Sequence, residues 1–174
     1  DCDLNGKFFL QRYIAAHAIM ISFEGIPAVY FNSLFGKSND NAKYVITGNN
    51  RDVNRYKWNY KNITNKLSDK TSKQSIFFKN LGKLLAIKKN QKAFHPNAKR
   101  LNINLGPKIF CFKRISLDKK QTIISITNCS SVNQYPKLGK KYNKWKNIIN
   151  SQIKFTNDKT LELKPFETIW LSNI

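Results

Sequence analysis

Residues 8–23 read FFLQRYIAAHAIMISF, rich in Ala, Leu, Ile and Met, with apolar positions dense enough for burial on nearly every side. The pattern predicts a helix, and Glu24-Gly25 predicts its end, with Gly25 placed to cap it. The following IPAVYF, residues 26–31, is a short apolar run with Pro27 at its entrance, as expected of a buried parallel strand. Helix, tight turn and buried strand is the unit from which doubly wound and barrel α/β folds are built.

No tight turn follows the strand. Residues 32–58 are polar and punctuated by Gly36, Asn39, Asp40, Gly48, Asn49 and Asn50. Loops this long in compact domains are usually functional or disordered, and α/β folds place active sites at the C-terminal ends of parallel strands. Within the loop stands TGNNRDVNR, residues 47–55. Of 31 basic residues only Arg12, Arg51, Arg55, Arg100 and Arg114 are arginines, so two of the five are set here, with Asp52 between them. A guanidinium is a planar fork that grips a carboxylate or a pair of hydroxyls bidentately, which an ammonium cannot do.

A second helix is expected over residues 73–92, KQSIFFKNLGKLLAIKKNQK. Ile76, Phe77, Leu81, Leu84, Leu85 and Ile87 form its apolar face and lysines its solvated one. Pro96 forces His95 out of helical geometry. Beyond Arg100, the runs KIFCFKRIS, QTIISITNCS, SQIKFTN, LELKP and ETIWLS are short β-patterned stretches separated by turn residues. Two regions are therefore expected: an α/β part, residues 1–97, and a small antiparallel β domain, residues 98–174.

A formal charge of +21 raises nucleic acid as a partner. The lysines are scattered from Lys7 to Lys164, with short clusters at Lys88-Lys89, Lys119-Lys120 and Lys140-Lys141, and no nucleic-acid-binding motif accompanies them. Lys, Asn and Ile, all abundant here, share A/T-rich codons, so base composition accounts for the charge more simply than a basic binding module does. Cys2, Cys111 and Cys129 are odd in number and stand in no metal-ligand spacing, which suits reduced thiols in a cytoplasmic protein without a metal site. The apolar stretch 14–31 is broken by His17, Glu24, Gly25 and Pro27, so no membrane span is expected. A chain that opens on Asp1, with Met20 its only methionine, is expected to be part of a longer one.

Helix, GIPAVYF, long loop, helix and a β region ending LELKPFETIWLSN resemble the end of an α-amylase superfamily (glycoside hydrolase family 13) enzyme. In that family G-x-P-x-x-Y marks the eighth barrel strand, and the chain closes with a β-sandwich. More narrowly, RYIAAHAIMISFEGIPAVYFNSLFGKSND, TGNNRDVNR and LLAIKKNQKAFHPNA are similar to the sucrose phosphorylase subfamily, GKSND followed at that distance by RDVNR being its most specific signature. The resemblance implies the last strand and flanking helices of a (β/α)8 TIM barrel, followed by a small antiparallel β-sandwich domain.

The resemblance also implies a retaining mechanism. One carboxylate forms a glycosyl-enzyme, a second carboxyl group acts as acid and then base, and in a phosphorylase inorganic phosphate replaces water to release glucose 1-phosphate. In the family those carboxyl groups come from earlier barrel strands. Here Asp40 and Asp52 lie in the loop, and Glu24, Asp69, Asp118, Asp158, Glu162 and Glu167 form no pair at a strand end. The chain is thus expected to be a part of a glucoside phosphorylase that is inactive alone, with an α-glucoside and phosphate as substrates and no cofactor. A hydrolase or transglucosidase on the same scaffold, or a non-catalytic basic module, is the alternative.

By the same resemblance Arg51 holds outer hydroxyls of the glucosyl unit, and Arg55 braces the loop or adds positive potential for phosphate. Asn39 and Asp40 match the family loop and either contact substrate or shape the loop through Asx-turns. The bland reading of both arginines is that they pin the loop through Asp52 and Asp40. Tyr30, Phe31 and Phe35 stand at the strand end, where Tyr30 and Phe31 are expected to pack in the core. His17 and His95 are expected to be structural.

Overall fold

In the computed structural model the described residues are 6–139, 142, 144–156 and 160–174. Cys2, the Lys140-Lys141 pair and Asp158 lie outside them. Helix α1, Phe9–Ser22, buries Ala15, Ala18, Ile21 and Ser22. It is capped by Phe23 rather than by Gly25. Gly25, at φ +79°, instead turns the chain so that its N–H donates to the Pro96 carbonyl at 3.0 Å.

The strand expected at residues 26–31 is not present as a strand. Residues 26–30 form neither helix nor strand and pair with no strand among the described residues; Tyr30 closes them in extended geometry, and Ile26 and Tyr30 are 85% and 50% exposed. A parallel strand exists only through its neighbours' backbone groups, and every strand pair described here is antiparallel.

The loop of residues 32–58 is more ordered than its composition suggests. It holds α2 (Phe31–Leu34), α3 (Asn41–Thr47) and a 3-10 turn (Asn50–Val53), and α4 (Tyr60–Ser68) follows it. Helix α3 starts where Asp40 accepts from the Lys43 amide at 3.0 Å and stops at Gly48, φ +63°. Helix α4 starts the same way, Asn59 accepting from the Asn62 amide at 3.2 Å.

Helix α5, Lys73–Lys89, is capped by the Ser72 hydroxyl, buries Phe77, Leu81 and Leu84, and packs along α1. It ends three residues before Lys92, where a separate 3-10 turn, Lys92–Phe94, begins. His95 is extended (φ −54°, ψ 140°), as the proline after it demands.

Among the described residues five antiparallel strands follow: β1 (Lys99–Asn102), β2 (Ile109–Ile115), β3 (Thr122–Asn128), β4 (Lys146–Asn147) and β5 (Thr168–Ser172), in the order β1-β2-β3-β5-β4. One face carries Ile123 and Trp170 into a core shared with Ala18 and Ile21 of α1, Leu84 of α5, Ala93 and Phe94. The opposite face, with Cys111, Ile124, Ile126, Ile169 and Leu171, is covered by Leu161, Leu163, Leu138, Trp145 and Ile153.

That cover corrects the sandwich expectation. Among the described residues it is irregular chain, apart from the single-residue bridges Gln134–Leu163 and Phe155–Leu161, so SQIKFTN and LELKP supply no strand. Its backbone groups are met instead by buried asparagines. Asn128 Nδ2 donates to Val132 O and Lys164 O, both at 2.8 Å. Asn147 Nδ2 donates to Gln152 O at 2.9 Å, while its Oδ1 accepts from the Ile149 and Trp170 amides.

Candidate functional site

Three of the five arginines join the helices to the sheet. Arg114, fully buried on β2, donates to the carbonyls of Ser22 (2.8 Å), His95 (2.7 Å) and Ala98 (3.1 Å). Burial pulls its guanidinium below the ordinary value. Arg100 pairs with Glu24 at 3.0 Å and stacks on Phe23, its centre 4.9 Å from the ring. Arg12 lies over the ring of Phe166 at 5.7 Å. The other two arginines join nothing of this kind.

Arg51, in the 3-10 turn, and Arg55, just after it, are exposed and line one depression of about 350 Å³ together with Tyr30, Asn50 and Asn54. Among the described residues neither guanidinium makes a hydrogen bond or an ion pair. The carboxylate between them is engaged elsewhere: Asp52 pairs with Lys43 at 3.2 Å. Thr47 and Lys43 hold its carboxyl below the usual range, and Arg55 adds only the weakest attraction. Asp40 is not an arginine partner either. Its Oδ1 caps α3 and its amide donates to the Val53 carbonyl at 2.6 Å, which closes the loop on itself. The pinning role considered for the arginines therefore belongs to Lys43 and Asp40. Asn39 is exposed and lies outside the depression.

The depression sits where the segment 26–30 ends, and Asn32 holds it there. This side chain, 5% exposed, directs three hydrogen bonds at the loop. Nδ2 donates to Asn54 O at 2.9 Å and to Tyr56 O at 3.1 Å, while Oδ1 accepts from Trp58 Nε1 at 2.9 Å. The Tyr30 hydroxyl adds a bond to Asn54 O at 3.2 Å. Arg55 is thus fixed on both sides. Nothing in the sequence marked Asn32 apart from the chain's many other asparagines.

An aromatic cluster backs this arrangement. Phe35, 5% exposed, meets Trp58 edge-on at 5.8 Å and stacks on Phe78 at 5.8 Å, and Trp58 meets Tyr56 edge-on at 4.9 Å. Of the aromatic residues expected in the core, Tyr30 and Phe31 are instead half exposed, because the segment they end has no neighbour. Beneath the loop the Tyr13 hydroxyl donates to Ser33 O at 2.5 Å, and burial raises its pKa.

The remaining sequence candidates are structural. His17 sits 2.9 Å from Tyr13 O and stacks on the Tyr13 ring, and the His95 carbonyl accepts from Arg114. The described residues contain no cluster of His, Cys, Asp or Glu able to hold a metal, and no helix long and apolar enough to cross a membrane. A larger cavity, about 700 Å³, lies at the far end of the segment 26–30, between Ile26 and Pro27, the end of α5 and the turn at Leu117. Its one carboxylate, Asp118, is paired with Lys92 at 3.3 Å, and the exposed Ile26 and Leu117 mark it as a packing surface rather than a reactive site.

No family model matches the chain. It is 38% identical over 86 residues to a glucosylglycerate phosphorylase of Escherichia coli (strain K12), covering 49% of this chain and 15% of that protein. To the glucosylglycerate phosphorylase of Spirochaeta thermophila it is 29% identical over 124 residues, covering 71% of this chain and 21% of that protein. Among solved structures, the maltogenic amylase from S. marinus superposes with a TM-score of 0.64 at 19% identity, over 93% of this chain and 19% of that one. The fold is shared with part of that amylase and with part of a trehalulose synthase, which superposes with a TM-score of 0.71 at 12% identity over 98% of this chain and 40% of that one. The chain spans about a fifth or less of the length of the curated relatives it matches.

Proposed function

We propose that this chain forms the C-terminal part of a retaining glucoside phosphorylase, which transfers a glucosyl unit to inorganic phosphate and releases glucose 1-phosphate. In this reading α1, the segment 26–30 and α5 are the last units of a (β/α)8 barrel. The exposed Ile26, Tyr30 and Phe31 then meet barrel strands supplied by the rest of the parent protein, and residues 98–174 are its C-terminal domain. The reacting carboxyl groups belong to that remainder. The named relatives favour glucosylglycerate over sucrose as the donor.

The observation that carries the reading is the pair of unengaged guanidiniums in one depression at the C-terminal end of the segment 26–30, with Asp52 and Asp40 both committed elsewhere. A planar donor set held there suits vicinal sugar hydroxyls, so Arg51 is assigned to the glucosyl unit. Asp40 supports the loop from outside the depression.

The test uses the full-length parent enzyme. Phosphate-dependent release of glucose 1-phosphate from glucosylglycerate is expected, and Arg51→Ala is expected to lower kcat/KM by roughly 30- to 160-fold, the equivalent of about 2–3 kcal/mol for a charged hydrogen-bonding group. Release of free glucose at the same rate with and without phosphate would make the parent a hydrolase. An Arg51→Ala enzyme with wild-type kcat/KM would remove the sugar site from this loop.

A further inference from the structure

Holding a neutral sugar requires one guanidinium, and the depression holds two. Its lining, Tyr30, Asn50, Arg51, Asn54 and Arg55, contains two cations and no carboxylate. The nearest acid, Asp52, is already paired with Lys43. Two like charges facing one hollow repel each other unless an anion enters between them. Both arginines stand on fixed backbone: the Arg51 amide donates to Asn49 Oδ1 at 3.0 Å, and the carbonyls on either side of Arg55, Asn54 O and Tyr56 O, accept from the buried Asn32. Fixing a cation in advance of binding reduces the ordering cost of a charge-assisted contact.

We infer that Arg55 is a specificity-determining residue that donates to a compact oxyanion on the glucosyl acceptor, either inorganic phosphate or the carboxylate of the glycerate released from the donor. The inference rests on the glucosyl-transfer reading above. The two arginines then differ in what they recognise. Arg51 binds the transferred sugar, and Arg55 binds the charge of what takes the sugar or leaves it. Arginine suits both oxyanions because its parallel N–H groups match two oxygens at once.

The experiment compares acceptors in the full-length parent enzyme, with α-D-glucosyl fluoride as a donor that carries neither phosphate nor carboxylate. Rates are measured with phosphate, glycerate and uncharged glycerol for wild type, Arg55→Gln and Arg55→Lys. The expected result is at least a tenfold fall, in Arg55→Gln, of one oxyanion-to-glycerol ratio of kcat/KM, with partial recovery in Arg55→Lys. A fall in the phosphate ratio assigns the site to phosphate, and a fall in the glycerate ratio assigns it to the carboxylate. Both ratios staying within twofold of wild type would overturn the inference, even if all rates fell together. If the wild type transfers no glucosyl unit to any acceptor, the functional reading fails first. Calorimetric titration with phosphate and with glycerate then decides the anion site by itself. Binding at least tenfold weaker in Arg55→Gln supports it, and equal or absent binding in both proteins overturns it.

Discussion

Asn32→Asp tests whether the loop is fixed from beneath. The change keeps size and shape and leaves an oxygen to accept from Trp58 Nε1. It removes the two Nδ2 bonds to Asn54 O and Tyr56 O and turns a carboxylate oxygen toward two carbonyls in a nearly buried site. Two lost bonds at about 1 kcal/mol each, with the added repulsion, give about 2–3 kcal/mol. The Tyr30 hydroxyl still holds Asn54 O, so the loss does not grow further. If the loop opens locally, that energy multiplies the open population roughly 30- to 160-fold. Limited trypsin digestion of the full-length protein reads it directly, because Arg51, Arg55 and Lys57 are cleavage sites on the loop itself. Cleavage there is expected to accelerate by that factor, while Lys79 and Lys83, on α5, stay protected. Loop cleavage within twofold of wild type would refute the reasoning, and equal acceleration on α5 would show that Asn32 supports the whole fold rather than the loop.

Four other outcomes are expected elsewhere in the molecule. Gly36→Ala places a Cβ 2.2 Å from the Phe77 ring at φ +57°, so thermal unfolding should show a loss of about 2–4 kcal/mol from overpacking and left-handed strain together. Arg114→Met leaves the carbonyls of Ser22, His95 and Ala98 without their shared donor, and denaturant unfolding should register about 3–5 kcal/mol. Titration should find the Cys111 thiol, pushed up to about 12 by burial, inert to alkylation at neutral pH until the protein unfolds, while the exposed Cys129 reacts at once. Asp118, held down to about 2 by the Ser116 hydroxyl and the Lys120 amide, should support its turn fully above the ordinary carboxylate range and lose that support as pH falls through 2, measurable by NMR.

The long elements were legible because burial writes a period into sequence. Helices α1 and α5, and strands β2, β3 and β5, stand within a few residues of where their apolar patterns place them. The short elements were not. β1 is KRLN and β4 is KN, polar edge strands that take their register from β2 and β5 rather than from any pattern of their own. Helices α3 and α4 are short, α3 burying no side chain and α4 only Ile63, yet Asp40 with Gly48, and Asn59, are start and stop signals present in the sequence. Residues 26–31 carry the composition of a strand, but strand formation depends on neighbours and not on composition. Arginine's scarcity singles out Arg51 and Arg55 in the sequence, whereas the engagement of Asp52 by Lys43 depends on how α3 folds back beside the 3-10 turn, which no local pattern encodes.

Asparagine shows the opposite side of that limit. Its abundance looked like base composition, and for most of its positions nothing contradicts this. Three of them nevertheless hold irregular chain that has no ladder to satisfy it: Asn32 under the arginine loop, Asn128 and Asn147 under the cover of the sheet. Each is buried, and each spends both ends of its amide on backbone or indole groups of a loop. Leucine at any of these sites would improve the apolar count and leave several buried backbone groups without partners, so hydrophobicity cannot identify the positions that matter. The arginine loop depends on the same device as the sheet's cover. Arg51 and Arg55 can therefore be exchanged without disturbing Asn32, which holds the backbone of the loop that carries them.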